Sequence, residues 1–439
     1  MSARDTALNV LIACRKEGGW SNALLKEYLS RDRLDRREAA LATRLCYGVL
    51  QNRLLLDHYL QQLLTGKLKS LHPAARDILH LGLYQLYFMD KIPQSAAVNE
   101  CVGLAKRYCK DQKNAPGLVN AVLRSAITRK DTLTQPRSYV ERYSHPQALV
   151  DLLKDYAGKE RLEQMLRANN EIPPTVVQVN TLKTTAQELK TLLEAEGATV
   201  NPHSWMPDCL VLTGTGDLEK LDSFQQGLFY VQDAASRLSV LCACLPNDRE
   251  VSVLDCCAAP GGKSFTAAIA MGGRGQVISC DVYDHKAQLI QKGAQRLGLS
   301  SIQAMRRDAT QPKADWEAAF DTVIVDAPCS GYGIIRKKPD IRYKDPASMK
   351  DLPGLQLRIL QNQSRFVRPG GTLMYSTCTL VRAENEGVVE EFLKNNREFT
   401  LERLTLPDNF PKNETGMMAL FPGEYDTDGF FIARLRRTL

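Results

Sequence analysis

From residue 2 to about 130, apolar side chains recur with a period near 3.6, the mark of amphipathic helices. Arg36 to Leu50 sets Ala39, Ala40, Leu41, Leu45 and Val49 along one stripe, and Leu54 to Leu64 continues it. Asp77 to Phe88 is apolar on nearly every side, as a helix at the centre of a bundle must be. Pro93 interrupts the pattern, and Ser95 offers a cap for a helix running to Arg107. Pro116-Gly117 precedes a last helix from Leu118 to Ile127. The pattern predicts an all-α bundle over residues 1–135.

Residues 136–231 read as a small α+β module linking the bundle to the carboxy-terminal half of the chain. Ser144-His145-Pro146 opens a helical stretch to Tyr156, and a second runs from Lys159 to Asn170. Pro173-Pro174 comes before a strand-like Thr175 to Val179. A helix from Ala186 to Glu196 ends at Gly197, a residue suited to a left-handed cap, and Cys209 to Leu212 reads as another strand. Residues 232–439 alternate strand, turn and helix. Strands are predicted near 251–255, 275–280, 302–305, 322–326 and 372–377, with helices near 263–271, 285–297, 352–367 and 384–395. That alternation predicts a doubly wound parallel α/β sheet, with Gly429 to Leu435 as an edge strand.

Charge changes the picture for the first domain. Residues 1–130 hold 21 basic and 11 acidic side chains, a net of +10, while the whole chain carries +7. Such asymmetry fits a polyanion partner, a nucleic acid being the common one, although solvated basic helix faces would produce the same count. The twelve cysteines include no C-x-x-C pair, and only six histidines are present, so neither a disulfide framework nor a metal site is expected. No apolar run reaches about 18 residues and the amino terminus lacks a basic signal start. A cytoplasmic protein without membrane spans, and a monomer, is the expectation.

Three strand ends carry chemistry. Asp255-Cys256-Cys257-Ala258-Ala259-Pro260-Gly261-Gly262-Lys263 follows a strand and opens a helix, where open α/β sheets bind nucleotide-like cofactors. It is neither G-x-G-x-x-G nor a phosphate loop, because Cys257 stands where the latter needs its first glycine. Asp281 ends the next strand and suits ribose hydroxyls; Asp308 follows the third and suits an adenine amino group. Each acid taken singly is more often a cap or a solvated loop residue. As a row they form a nucleoside site, and the lack of a second phosphate element favours S-adenosylmethionine over a dinucleotide.

Two thiols end the next two strands, Cys329 in Asp326-Ala327-Pro328-Cys329 and Cys378 in Ser376-Thr377-Cys378. A thiolate adding to carbon 6 of a pyrimidine activates carbon 5 toward methylation, an acid such as Asp326 steadies the ring, and a second group assists release. The residues alone leave open which thiol attacks. Arg336, Lys337, Lys338 and Arg342 follow the first thiol and read as phosphate contacts, or otherwise as a solvated basic loop.

The segments CCAAPGGK, DAPCSGYGIIRKKPDIRY, YSTCT, DGFF and VQDAAS resemble the RNA cytosine-5 methyltransferase family. RREAALATRLCYGVL, LGLYQLYFMDKIPQSAAVNE and GLVNAVLRS resemble a NusB-like RNA-binding domain. Together the likeness spans nearly the whole chain. It implies a Rossmann-like methyltransferase fold, S-adenosylmethionine as methyl donor and 5-methylcytosine in small-subunit (16S) ribosomal RNA as product. By position it implies that Cys257, Ala258, Ala259, Pro260, Gly261, Gly262 and Lys263 form the cofactor loop, with Asp281, Asp308 and Asp326 lining the same site. It also implies that Cys378 is the nucleophile and Cys329 the residue that helps release product. Arg307 stands where the family usually has glycine, and Thr379 where serine is common. Two alternatives stand beside this reading: a transfer RNA substrate, or a non-catalytic RNA-binding antitermination factor built on the bundle.

Overall fold

The computed structural model describes residues 1–17, 21–408, 410–411 and 413–438. Contacts divide the chain into two units, Met1–Glu171 with Ile335–Pro346, and Ile172–Ile334 with Ala347–Leu439.

The first unit is helical: α1 Ala3–Glu17, α2 Ser21–Asp32, α3 Arg36–Leu63, α4 Pro73–Phe88, α5 Gln94–Tyr108, α6 Ala115–Thr128, α7 Tyr139–Arg142 and α8 Gln147–Ala168. The stripe beginning at Arg36 becomes one 28-residue helix, started by Asp35, whose carboxylate accepts from the Glu38 amide. α4 is the central helix the pattern predicted, with twelve of its 16 residues buried. Its buried polar groups are paired: His80 meets Asp57 at 2.8 Å, and Asp77 accepts from Arg15 at 3.1 Å. Ser95 is not a cap; Pro93 takes that place and Ser95 lies inside the first turn of α5. Pro116 likewise sits inside the first turn of α6, where its missing N–H costs nothing. The break between the two stretches of α8 falls at Gly158, at φ 78 and ψ 167.

The second unit holds two sheets. Strands β1 Thr175–Val179, β2 Thr199–Pro202, β3 Cys209–Thr213 and β4 Phe229–Val231 form an antiparallel sheet in the order β2-β3-β1-β4. Helix α9, Ala186–Ala195, belongs to this module and begins in a capping box between Thr185 and Glu188. Short α10, Asp222–Gln225, and α11, Ala234–Leu241, flank β4 in sequence.

The larger sheet contains β5 Ser252–Asp255, β6 Gln276–Asp281, β7 Ile302–Arg306, β8 Phe320–Asp326, β9 Val367–Thr377, β10 Phe399–Leu401, β11 Met417–Leu420 and β12 Phe430–Arg437. Their order is β10-β12-β9-β8-β5-β6-β7, with β11 also paired to β12. Helices α12 Gly262–Ala270, α13 Asp284–Leu297, α14 Leu352–Ser364 and α15 Glu386–Asn395 alternate with its strands along the chain. β5 to β9 pair in parallel, and β12 joins β9 antiparallel. The last strand is therefore not an edge. Six consecutive residues from Phe430 are buried, the run of a strand covered on both faces rather than the alternation of an exposed one. The order reverses at β5, which has β6 on one side and β8 on the other. Such a switch point leaves a crevice beyond the carboxyl ends of the strands.

Candidate active site

The β5 turn opens that crevice. Gly261 caps α12 at φ 114, a left-handed conformation, and a Cβ there would meet the Phe265 ring at 2.5 Å. Only glycine fits both demands. Asp255 ends β5 fully buried; its Oδ2 accepts from Ser264 Oγ at 2.7 Å, and its Oδ1 has no hydrogen-bond partner among the described residues. Burial pushes its carboxyl up to about 7. Asp281 ends β6 with Oδ1 accepting from the Tyr283 amide at 3.1 Å. An unsatisfied buried carboxylate oxygen and a strand-end acid are the acceptors that the ammonium and ribose hydroxyls of S-adenosylmethionine require, so these residues fit that group.

The thiols come from neighbouring parallel strands, in a register that sets Asp326 beside Ser376. The Sγ atoms of Cys329 and Cys378 are 3.2 Å apart, far longer than a disulfide bond, and both thiols are free and partly exposed. The hydrogen bond to Cys378, and then burial, hold the Cys329 thiol well above the usual range. Either sulfur can be the donor in this contact. Asp326 has both oxygens engaged: Oδ1 accepts from Ser376 Oγ at 2.8 Å, and Oδ2 from Lys263 Nζ at 2.7 Å. Lys263 also donates to Ser236 Oγ at 2.8 Å, so the turn after β5 and the end of β8 share one ammonium. Behind Cys378, Gly333 donates its amide to the Cys378 carbonyl at 2.9 Å and accepts from the Gly429 amide at 2.8 Å. A Cβ on Gly333 would lie 2.0 Å from the Gly429 carbonyl oxygen.

Two residues escaped the sequence reading. Glu384 and Asn385 follow the second thiol and are buried, one bonded to the Cys329 loop and the other to the strand end at Cys378. An acid and an amide in the loop just past the Cys378 strand end were the available signal.

The remaining sequence candidates do not join the cluster. Asp308 lies beyond β7 and is exposed, and its Oδ1 is turned into its own loop, accepting from the Thr310 amide at 2.8 Å and hydroxyl at 2.7 Å. Those bonds, the amide first, hold its carboxyl below the ordinary range. Arg342, read as a phosphate contact, is fully buried in the first unit. Its guanidinium donates to the carbonyls of Gln51 and Asn169 at 2.9 and 3.1 Å and to Asn170 Oδ1 at 2.7 Å. Arg336 is buried as well, while Lys337 and Lys338 are partly exposed. Among the described residues there is no cluster of metal-ligating side chains, and no helix is long and apolar enough to cross a membrane.

The fold and its family match define a class, the S-adenosylmethionine-dependent methyltransferases. Residues 242–436 match the family described as 16S rRNA methyltransferase RsmB/F; residues 1–128 match the NusB family, and residues 145–219 a ferredoxin-like domain of RsmF/B-like methyltransferases. The chain is 36% identical to the probable ribosomal RNA small subunit methyltransferase B of Bacillus subtilis, over 99% of both chains. It is 34% identical to the corresponding Synechocystis protein over the full length of each. The solved structure of PH0851 superposes with a TM-score of 0.80 at 25% identity, covering 98% of both chains. The chain belongs to the ribosomal RNA small subunit methyltransferase B family.

Proposed function

We propose that this protein methylates carbon 5 of a cytosine in small-subunit ribosomal RNA through a transient bond between Cys378 and carbon 6 of the base. The observation that supports this most directly is the 3.2 Å contact between two free thiols at adjacent strand ends, beside Asp326. Carbon 5 of cytosine is too weak a nucleophile to accept a methyl group unaided. Addition of the Cys378 thiolate to carbon 6 moves electron density to carbon 5, which bonds the methyl group supplied by the sulfonium donor. Asp326, already arranged as an acceptor, takes a hydrogen bond from the amino edge of the ring. Cys329 then ionises to solvent, its thiolate accepts the carbon 5 proton, and the carbon–sulfur bond breaks with its electrons returning to Cys378.

Cys257 to Lys263, with Asp281, hold the methyl donor in this reading. Lys337, Lys338 and the basic excess of residues 1–130 meet the RNA phosphates. The test is nucleoside mass spectrometry on small-subunit ribosomal RNA incubated with the protein and labelled donor. Label in 5-methylcytidine is the expected result; label on a ribose hydroxyl or on an exocyclic amine would contradict the proposal.

A further inference from the structure

We infer that Glu384 and Asn385 are positioning residues for the thiol pair, Glu384 fixing the loop of Cys329 and Asn385 the strand end of Cys378. This rests on the roles proposed above for the two thiols.

Glu384 is 2% exposed, and among the described residues it has no ion-pair partner. A buried carboxylate without a cation is costly unless donors surround it. Here they do: the Ser330 amide donates at 2.9 Å, the Ser330 hydroxyl at 2.6 Å and Gln356 Nε2 at 2.9 Å. The same Gln356 nitrogen donates to the Pro328 carbonyl at 3.0 Å. Glu384 therefore grips the residue after Cys329 directly and the residue before it through Gln356.

Asn385 does the same for the other thiol. Its Oδ1 accepts from Thr377 Oγ1 at 2.6 Å, and its Nδ2 donates to the Thr379 carbonyl at 3.1 Å, so both chain neighbours of Cys378 are held. The halves meet where Ser330 Oγ and Thr379 Oγ1 lie 2.6 Å apart. Two consecutive residues thus fix the flanks of both sulfurs. The Glu384 charge also adds to the causes that keep Cys329 protonated, after Cys378 and burial.

The test uses the full chain with ribosomal RNA and methyl donor, and reads turnover together with the fraction of protein covalently bound to RNA. Glu384→Ala is expected to slow turnover by about 10²-fold, the scale of a misplaced catalytic group, and to accumulate adduct because Cys329 no longer completes release. Glu384→Gln is expected to restore turnover to within about tenfold, since its amide can accept from the Ser330 and Gln356 nitrogens and donate to the Ser330 hydroxyl. Wild-type turnover in Glu384→Ala, or slow turnover without adduct, overturns the inference. Should Glu384→Ala fail to fold, Ser330→Ala decides. Its adduct fraction should rise about tenfold or more, the factor one hydrogen bond to a charged group is worth, and an unchanged fraction overturns the inference. Cys329→Ala run alongside separates the two levels. No adduct there sinks the thiol roles and this inference with them, whereas adduct there and none in the other variants sinks this inference alone.

Discussion

Lys263 Nζ lies 2.7 Å from Asp326 Oδ2, which ties the turn after β5 to the end of β8 through an ion pair whose lysine side chain is 9% exposed. Removing the ammonium leaves a half-buried carboxylate with one donor, Ser376. Lys263→Met is therefore expected to cost about 1–3 kcal/mol, less than a fully buried pair because Asp326 is partly solvated. Single-turnover methylation should fall by about 10²-fold. Thermal unfolding and a rapid-quench assay measure the two effects; unchanged values would remove Lys263 from the site.

Gly261 stands at φ 114 with no room for a side chain. Gly261→Ala must strain the turn by about 1–3 kcal/mol. The expected outcome is donor affinity weakened by about tenfold or more, read by calorimetry with S-adenosylhomocysteine. Wild-type affinity would show that the turn is not part of the donor site.

Asp255 carries a pH signature. Burial raises its carboxyl in the folded state to about 7, above its ordinary value of 3.8. A group raised on folding stabilises the protein fully below its unfolded value, and that contribution is lost as pH rises through the folded one. Asp255→Asn lacks this loss. Without added ligands, the stability of the variant relative to wild type, read by denaturant unfolding, should climb between about pH 4 and pH 7 and level off above, by an amount on the order of a few kcal/mol. A difference independent of pH would contradict the assignment.

Arg342 is a structural cation. Arg342→Met leaves carbonyls of Gln51 and Asn169 without their donor and should cost about 3 kcal/mol of stability in the first unit. The slope of RNA affinity against salt should not change, because no phosphate contact is lost. A slope reduced by about one, with stability intact, would restore Arg342 to the RNA surface.

What the chain revealed before folding, and what it hid, depend on range. The parallel strands were legible because Thr322 to Val325 and Thr372 to Tyr375 are short apolar runs bounded by polar turns, a local signal. Both thiols were legible for the same reason, each ending such a run. The partners of Arg342 lie at Gln51 and Asn169, far away in sequence, so its burial had no local mark and a basic run looked like surface. β12 was misplaced at an edge because its pairing with β9 spans more than fifty residues. Glu384 resembled any solvated acid until Ser330 and Gln356 were brought around it.

The central claim is that Cys378 is the attacking thiol and Cys329 the releasing one. Mapping the covalent protein–RNA adduct by peptide mass spectrometry in Cys329→Ala and Cys378→Ala tests it most directly. Cys329→Ala should accumulate an adduct attached at Cys378, while Cys378→Ala forms none. An adduct attached at Cys329 in the Cys378→Ala protein, with normal release in Cys329→Ala, would contradict the account.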